Sequence, residues 1–356
     1  MKTKDVYNPQ KELIRSLDLI EKEKGISKDI ILEAIENSLV AACKNEYGSA
    51  DNIRVNLNRQ TGEIKVFADK TVVETVEDPE CEVNIGDARI KDAGYQLGDI
   101  VPFEIVPRNF GRIAAQKAKQ VVVQKIREEE RKSLYEEYLA KEKGIVTGVV
   151  QRISDSNIYV NLGNVDAVLT KKEQVPTEVF EPTDRIKLYI VEVRNTTKGP
   201  RVTISRTHKD LVKRLFEEVI DEVRDGTVEI HSISRDPGSR TKIAVSSNDP
   251  NVDPVGACVG RDGMRVGTIV EELRGEKIDI IRWSDDPAEL IENALSPAKI
   301  ISVDVDELEK SASIIVPDNQ LSLAIGKNGQ NAKLAAKLTG YKIDIKSELQ
   351  AGQDMI

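Results

Sequence analysis

The stretch Ala257-Cys258-Val259-Gly260-Arg261-Asp262-Gly263 is matched further along the chain by Leu323-Ala324-Ile325-Gly326-Lys327-Asn328-Gly329. In both copies a short apolar run leads into a Gly-x-x-Gly loop, and a helical stretch follows. Each stretch reaches a Leu-x-Gly and then the same strand-like Lys-Ile-Asp-Ile, at 277–280 and 342–345. A lone Gly-x-x-Gly arises by chance in a chain of this length, whereas the repeated context indicates two copies of one module.

The chemistry of the two loops suits a nucleic-acid backbone. Glycine at both ends removes Cβ atoms that would block a sugar-phosphate chain, and the N–H groups that open the second helix face the anion. Arg261 and Lys327 add a cation to each loop, while Asp262 adds a negative charge that weakens the first loop's phosphate contact. These are features of the KH module, which holds about four nucleotides of single-stranded RNA. The alternative is a glycine turn between two helices that binds no ligand.

We therefore expect two tandem KH domains of type II, at 208–284 and 285–350, followed by a tail at 351–356. The candidate RNA-binding residues of this region lie in the two loops and in the helices after them. They are Gly260, Arg261, Asp262, Gly263, Arg265, Gly326, Lys327, Asn328, Gly329, Asn331 and Lys333.

Residues 144–207 alternate between apolar and polar side chains in five short runs with glycines at the bends, which predicts a five-stranded OB-type β-barrel of the ribosomal S-one kind. Such barrels stack bases on aromatic rings and contact the backbone with cations. Tyr159 is the candidate platform, with Arg152, Lys187 and Arg201 as phosphate partners. Tyr159 can equally serve only to cover the barrel surface.

The first part of the chain predicts an α/β head at 1–110 and a long connector helix at 111–143. The run Arg127-Glu128-Glu129-Glu130-Arg131-Lys132 is polar nearly all round, which a helix tolerates when it bridges two domains. An ordinary surface helix of the head is the alternative. The fold class is thus multidomain α+β: a head with a connector helix, an OB-type barrel and two KH domains.

Composition limits the function. The 356 residues carry a net charge of −9 with a pI near 5.2, which argues against a generic phosphate-binding surface, so RNA binding must come from local patches. The acidic residues from Asp304 to Glu309 fit a solvated surface better than a functional patch. Three cysteines without paired spacing predict reduced, structural thiols and a cytoplasmic protein. No segment is apolar enough to predict a membrane span.

We expect no enzymatic activity, no cofactor and no metal. His208 and His231 are the only histidines, too few for a zinc cluster or for a triad. The stretch around Lys327 lacks the earlier glycine and the Ser or Thr of a P-loop, so nucleotide hydrolysis has no visible machinery.

Four stretches resemble the NusA family of bacterial transcription factors, and the order of head, connector, barrel, KH and KH extends this resemblance over nearly the whole chain. The stretches are Phe110–Gln116 with Lys119-Gln120, Glu271–Ile280, Asn293–Ala298, and Val316–Leu321 running into Ala324–Asn331.

The resemblance implies a non-enzymatic factor that docks its head on core RNA polymerase and offers its barrel and KH pair to nascent single-stranded RNA. It implies effects on elongation, pausing, termination and antitermination, together with other Nus-type factors. We expect a monomer whose polymerase contacts include Arg112, Lys117 and Lys119 on the connector. Some members carry additional acidic C-terminal repeats, and we expect no activity that depends on them.

Two other functions remain open from the residues alone. One is an accessory of an RNA-turnover complex, since KH and OB modules also occur in phosphorolytic nucleases. The other is an adaptor that does not bind polymerase. A form of this adaptor whose KH units have lost the ability to bind RNA would be compatible with the net negative charge of the chain.

Overall fold

The computed structural model describes residues 9–47, 52–105 and 110–353, and these fall into two compact units that divide between Ser133 and Leu134. No helix within these ranges combines the length and the apolarity needed to cross a membrane.

The first unit combines helices with a four-stranded sheet. Its elements are α1 (Pro9–Lys24), α2 (Lys28–Tyr47), β1 (Ile53–Leu57), β2 (Ile64–Val73), β3 (Glu82–Asn84), α3 (Ile85–Lys91), β4 (Ile100–Ile105) and the first part of α4 (Phe110–Leu139). The helix α1 ends just before Gly25, which takes a left-handed conformation (φ 69°). Strand β2 pairs with β1 and β4 in antiparallel fashion and with β3 in parallel.

Helix α4 contributes to the cores of both units. Ala114 and Ala118 are buried with α1, α2 and β1 in the core of the first unit. Near its other end Tyr138 is buried in the barrel core, where its hydroxyl donates to the Leu162 carbonyl at 2.9 Å. The helix ends at Leu139, earlier than the expected connector bound of 143, and the Lys143 N–H bonds to the Ile190 carbonyl.

The second unit begins with the barrel, whose five strands confirm the OB-type prediction. They are β5 (Ile145–Ser154), β6 (Asn157–Asn161), β7 (Asp166–Leu169), β8 (Arg185–Thr196) and β9 (Gly199–Ser205). Their order is β7-β6-β5-β8-β9, and β7 also lies against β9, so the sheet is nearly closed. Side chains point alternately to the two faces of each strand, and one face fills the barrel interior. On β6, Ile158 and Val160 are buried in this way, and Tyr159 between them points outward.

Two αββααβ units follow, the first with an additional short helix before its sheet. Each has a three-stranded sheet whose middle strand is antiparallel to the first and parallel to the third. The first contains α5 (Lys209–Val219), α6 (Asp221–Arg224), β10 (Val228–Asp236), β11 (Arg240–Ser247), α7 (Pro254–Val259), α8 (Met264–Glu272) and β12 (Lys277–Arg282). The second contains α9 (Pro287–Leu295), β13 (Ser302–Asp306), β14 (Ser311–Val316), α10 (Leu321–Ile325), α11 (Gln330–Thr339) and β15 (Lys342–Ser347), and α12 (Glu348–Gln353) follows it.

The two sheet units share a packed boundary. Ala244 and Ile281 of the first are buried in the core of the second, beside α9 and β14. Lys242 is fully buried there and donates from Nζ to the Ser296 carbonyl at 3.0 Å. Burial lowers the pKa of Lys242, and the neighbouring Asp279 carboxylate, 3.3 Å away, opposes that shift. The boundary is therefore built from buried contacts rather than from a free linker.

Candidate nucleic-acid interface

The two Gly-x-x-Gly loops have the same backbone conformation, residue for residue. Gly260 and Gly326 share φ values of 76° and 75°, and Gly263 and Gly329 share 75° and 74°. Between them Asp262 and Asn328 are also left-handed, at 53° and 56°. Asn and Asp are the residues other than glycine that tolerate this region best. Each loop makes a single tight helical turn that leads directly into α8 or α11.

The two glycines of a loop serve different purposes. A Cβ on Gly326 would lie 2.8 Å from the Asn331 backbone nitrogen, and one on Gly260 would lie 2.7 Å from the Arg265 side chain. These first glycines are therefore required by packing within the helix pair. A Cβ on Gly263 would meet nothing within 4 Å, and one on Gly329 would meet only the end of Lys333, at 3.5 Å. The second glycines keep the outer surface of each loop open to an approaching backbone.

Arg265 and Asn331 occupy corresponding positions and hold their helix pairs together. Arg265 donates from one guanidinium nitrogen to the Ala257 carbonyl at 2.7 Å and to Glu222 at 2.9 Å. Asn331 is only 6% exposed, and its amide donates to the carbonyls of Leu295 and Ala324, each at 3.1 Å. Asn331, a candidate RNA-binding residue in the sequence, thus lies inside the protein, and both side chains bond to neighbouring helices.

The second loop carries more positive charge than the first. Lys327 is exposed, and Lys333 on α11 donates to the Asn328 carbonyl at 3.1 Å, which places its ammonium beside the loop. In the first loop the exposed Arg261 lies 3.8 Å from Asp262, which offsets its charge. The position that corresponds to Lys333 is Gly267, which has no side chain. Electrostatics therefore favours phosphate contact at the second loop.

Tyr159, the candidate platform for base stacking, is half-buried on the outer face of β6. Arg152 on β5 and Tyr159 on β6 are a cross-strand pair, and the guanidinium lies 3.9 Å from the ring centroid, a cation–π contact. Val168, opposite Tyr159 on β7, is exposed. Arg152 therefore already covers one face of the Tyr159 ring, and a base could stack only on the part of the ring that Arg152 leaves uncovered.

The two other barrel cations differ in availability. Arg201 on β9 is exposed, and no ion pair or hydrogen bond holds its side chain within the described part of the chain. Lys187 on β8 instead bonds to Glu218 of α5, with Nζ and Oε1 2.6 Å apart. Lys187 therefore helps to hold the barrel against the first KH unit, and Arg201 is the better candidate for a phosphate contact.

Sequence reasoning missed the residue that secures this joint, Arg206. Its side chain is fully buried, bonds to Glu178 and Glu272 and donates to the carbonyls of Lys187 and Glu272. Burial alone would lower the pKa of the guanidinium, but the two carboxylates outweigh burial and raise it. A single arginine after a strand gives no sequence signal for such a contact, because its partners lie far away along the chain.

The candidate polymerase-binding residues lie on α4 of the first unit. Arg112 and Lys119 are exposed and two helical turns apart, which places them on one face, and Lys117 is half-buried. No group of three or more metal-ligating side chains comes together within the described ranges.

An OB-type barrel followed by two KH-type units, with paired open loops, defines a multidomain protein built from RNA-binding modules. Comparison with known protein families finds the same modules in the same order. The NusA N-terminal domain matches residues 12–132, the S1 RNA binding domain 140–205, and the NusA-like first and second KH domains 206–283 and 287–353.

Curated relatives match nearly the whole chain. The transcription termination/antitermination protein NusA of Bacillus subtilis is 56% identical over 340 residues, which cover 96% of this chain and 92% of that protein. Its namesake in Thermus thermophilus is 40% identical, over 94% of this chain and 89% of that protein. The solution structure of the B. subtilis NusA N-terminal domain is 52% identical and covers 34% of this chain and 98% of that domain, with a TM-score of 0.31. The chain belongs to the NusA family.

Proposed function

We propose that this protein is an RNA-binding transcription factor that associates with bacterial core RNA polymerase and with nascent single-stranded RNA. It acts on termination and antitermination, as the names of its relatives suggest. We further propose that it acts on elongation and pausing and that it catalyses no reaction. The observation that carries the RNA-binding part is the pair of matched loops, each with an open second glycine and an exposed cation.

The arrangement of the two loops and the barrel supports binding and guiding RNA rather than catalysing a reaction. N–H groups at the starts of α8 and α11 and the cations Arg261, Lys327 and Lys333 can hold phosphates, while the barrel offers Tyr159 and Arg201. Pausing then follows from how the factor holds the transcript near the polymerase. We also propose that it works in the cytoplasm as a monomer beside other Nus-type factors.

The RNA-binding part is tested by reversing charge in both loops. Arg261→Asp combined with Lys327→Asp and Asn328→Asp places repelling carboxylates where phosphates would bind, so affinity for unstructured RNA falls at least about tenfold. Lys209→Asp, at the exposed start of α5, is the control because it also reverses a charge but leaves both loops intact. Unchanged affinity in a folded loop variant refutes the assignment.

The polymerase-binding part has a separate test. Arg112→Glu with Lys117→Glu and Lys119→Glu, in the full chain, should weaken capture of purified core polymerase and leave affinity for free RNA unchanged. Retention of full capture would remove α4 from the polymerase-binding surface.

A further inference from the structure

The turn between β10 and β11, residues 236–239, contacts both the barrel and the second KH unit. On the barrel side the Thr177 hydroxyl donates to the Gly238 carbonyl at 3.4 Å, and a Cβ on Gly238 would meet Thr177 and Val175 at 2.3 and 2.4 Å. On the other side Gln330 donates from Nε2 to Asp236 Oδ2 and to Ser239 Oγ, both at 2.6 Å. Three modules therefore meet at this one turn.

The turn is a fixed anchor rather than a mobile tip. Its Gly238 N–H donates to Glu276 at 2.7 Å, and Glu276 is 1% exposed. The same carboxylate accepts two bonds at 2.9 Å from Arg235, whose guanidinium also donates to the His208 carbonyl. A buried, multiply bonded ion pair of this kind holds the turn in one conformation.

Gln330 joins this anchor to the second glycine loop. It is the first residue of α11 and directly follows Gly329, so its amide fixes the point where the loop becomes a helix. The first loop has no such link, because the corresponding Met264 is 64% exposed. We propose that Gln330 is a positioning residue that sets the second loop at a fixed distance and orientation from the first KH unit, so that both loops bind one RNA strand together. This inference rests on the proposed RNA binding.

The physical gain is preorganisation. When one loop has bound a strand, the other loop meets the same strand at an effective concentration set by the geometry between them. If the start of α11 were free to move, ordering it on RNA binding would cost free energy and weaken the binding. The bond between Gln330 and the turn should therefore matter for RNA that reaches both loops and not for RNA that reaches one.

Spaced RNA tests this directly. Two identical unstructured RNA segments of about six nucleotides, each longer than one KH site, are joined by ethylene-glycol spacers of increasing length and titrated by fluorescence anisotropy. The wild-type protein should show an affinity maximum at one spacer length. In Gln330→Ala this maximum should fall about two- to tenfold and broaden, the range expected for lost hydrogen bonds, while affinity for a single segment stays unchanged.

A donor–acceptor exchange provides the matched control. Gln330→Glu sets two carboxylates against each other and should lower the maximum, whereas Gln330→Glu with Asp236→Asn restores a donor–acceptor pair at the wild-type net charge and should recover it. An unaltered maximum in Gln330→Ala, an equal loss for the single segment, or no recovery in the double variant would each overturn the positioning role. If the wild-type protein fails to bind even the single segment, the proposed function itself fails.

Discussion

Asp262 and Asn328 occupy equivalent left-handed positions, so exchanging them changes the charge of a loop without changing its backbone. We predict that Asp262→Asn raises affinity for unstructured RNA about two- to fivefold at low salt, because a like charge about 4 Å from a phosphate costs about 1 kcal/mol in water. Asn328→Asp should lower it by a similar factor. Anisotropy titrations at low and high salt check both, and the two effects should shrink together as salt increases. Equal affinities for all three proteins would show that neither position faces phosphate.

The two glycines of the second loop should separate folding from binding. Gly326→Ala places a methyl group 2.8 Å from the backbone nitrogen of Asn331, so we expect a clear fall in the melting temperature. Gly329→Ala meets only the end of Lys333 and should cost about 1–2 kcal/mol for its left-handed backbone. The second variant should fold but lose RNA affinity, since its methyl group lies on the open surface. Thermal unfolding and anisotropy measure the two properties, and normal RNA binding by folded Gly329→Ala would contradict the role of that open surface.

Among the elements, the joint between the barrel and the first KH unit depends most on one side chain. Arg206→Met leaves the buried Glu178 carboxylate without its cation, and breaking such a pair costs about 3–5 kcal/mol of the free energy of unfolding. Urea unfolding of the full chain measures this loss. Arg201→Met on β9, the strand that Arg206 follows, is the control, because that arginine is exposed and its replacement should change stability by less than about 0.5 kcal/mol. Similar losses in both variants would argue against a special role for the buried pair.

The elements themselves were largely predictable from the sequence. Alternation along β5 to β9 and the repeated Lys-Ile-Asp-Ile strands are local patterns, and the structure confirms the barrel and both αββααβ units. What stayed hidden depends on contacts between distant residues. Asn331 gives no local sign of being buried, and Lys187 gives none of its bond to Glu218.

At the scale of the whole molecule, a protein with a net charge of −9 must bind RNA, which is also negatively charged. A net negative charge gives no long-range attraction to RNA, so affinity has to come from local cations: Arg261, Lys327 and Lys333 in or beside the glycine loops, with Arg201 on the barrel. Salt screens distant repulsion between the acidic surface and RNA as well as the local attraction. The dependence of affinity on salt should thus be shallow for an RNA-binding protein of this length.

The salt dependence of RNA binding is set by the number of phosphates that the protein neutralises. With about three phosphates neutralised, the slope of log K against log salt for single-stranded RNA should be about −2, since each contact contributes about −0.7. Lys327→Ala with Lys333→Ala should reduce its magnitude by about 1.4, whereas Lys209→Ala, outside both loops, should leave it unchanged. Titrations at several salt concentrations with one unstructured RNA measure the three slopes. If the double variant keeps the wild-type slope, Lys327 and Lys333 do not contact phosphate, and the phosphate contacts must come from other cations, such as Arg261 or Arg201.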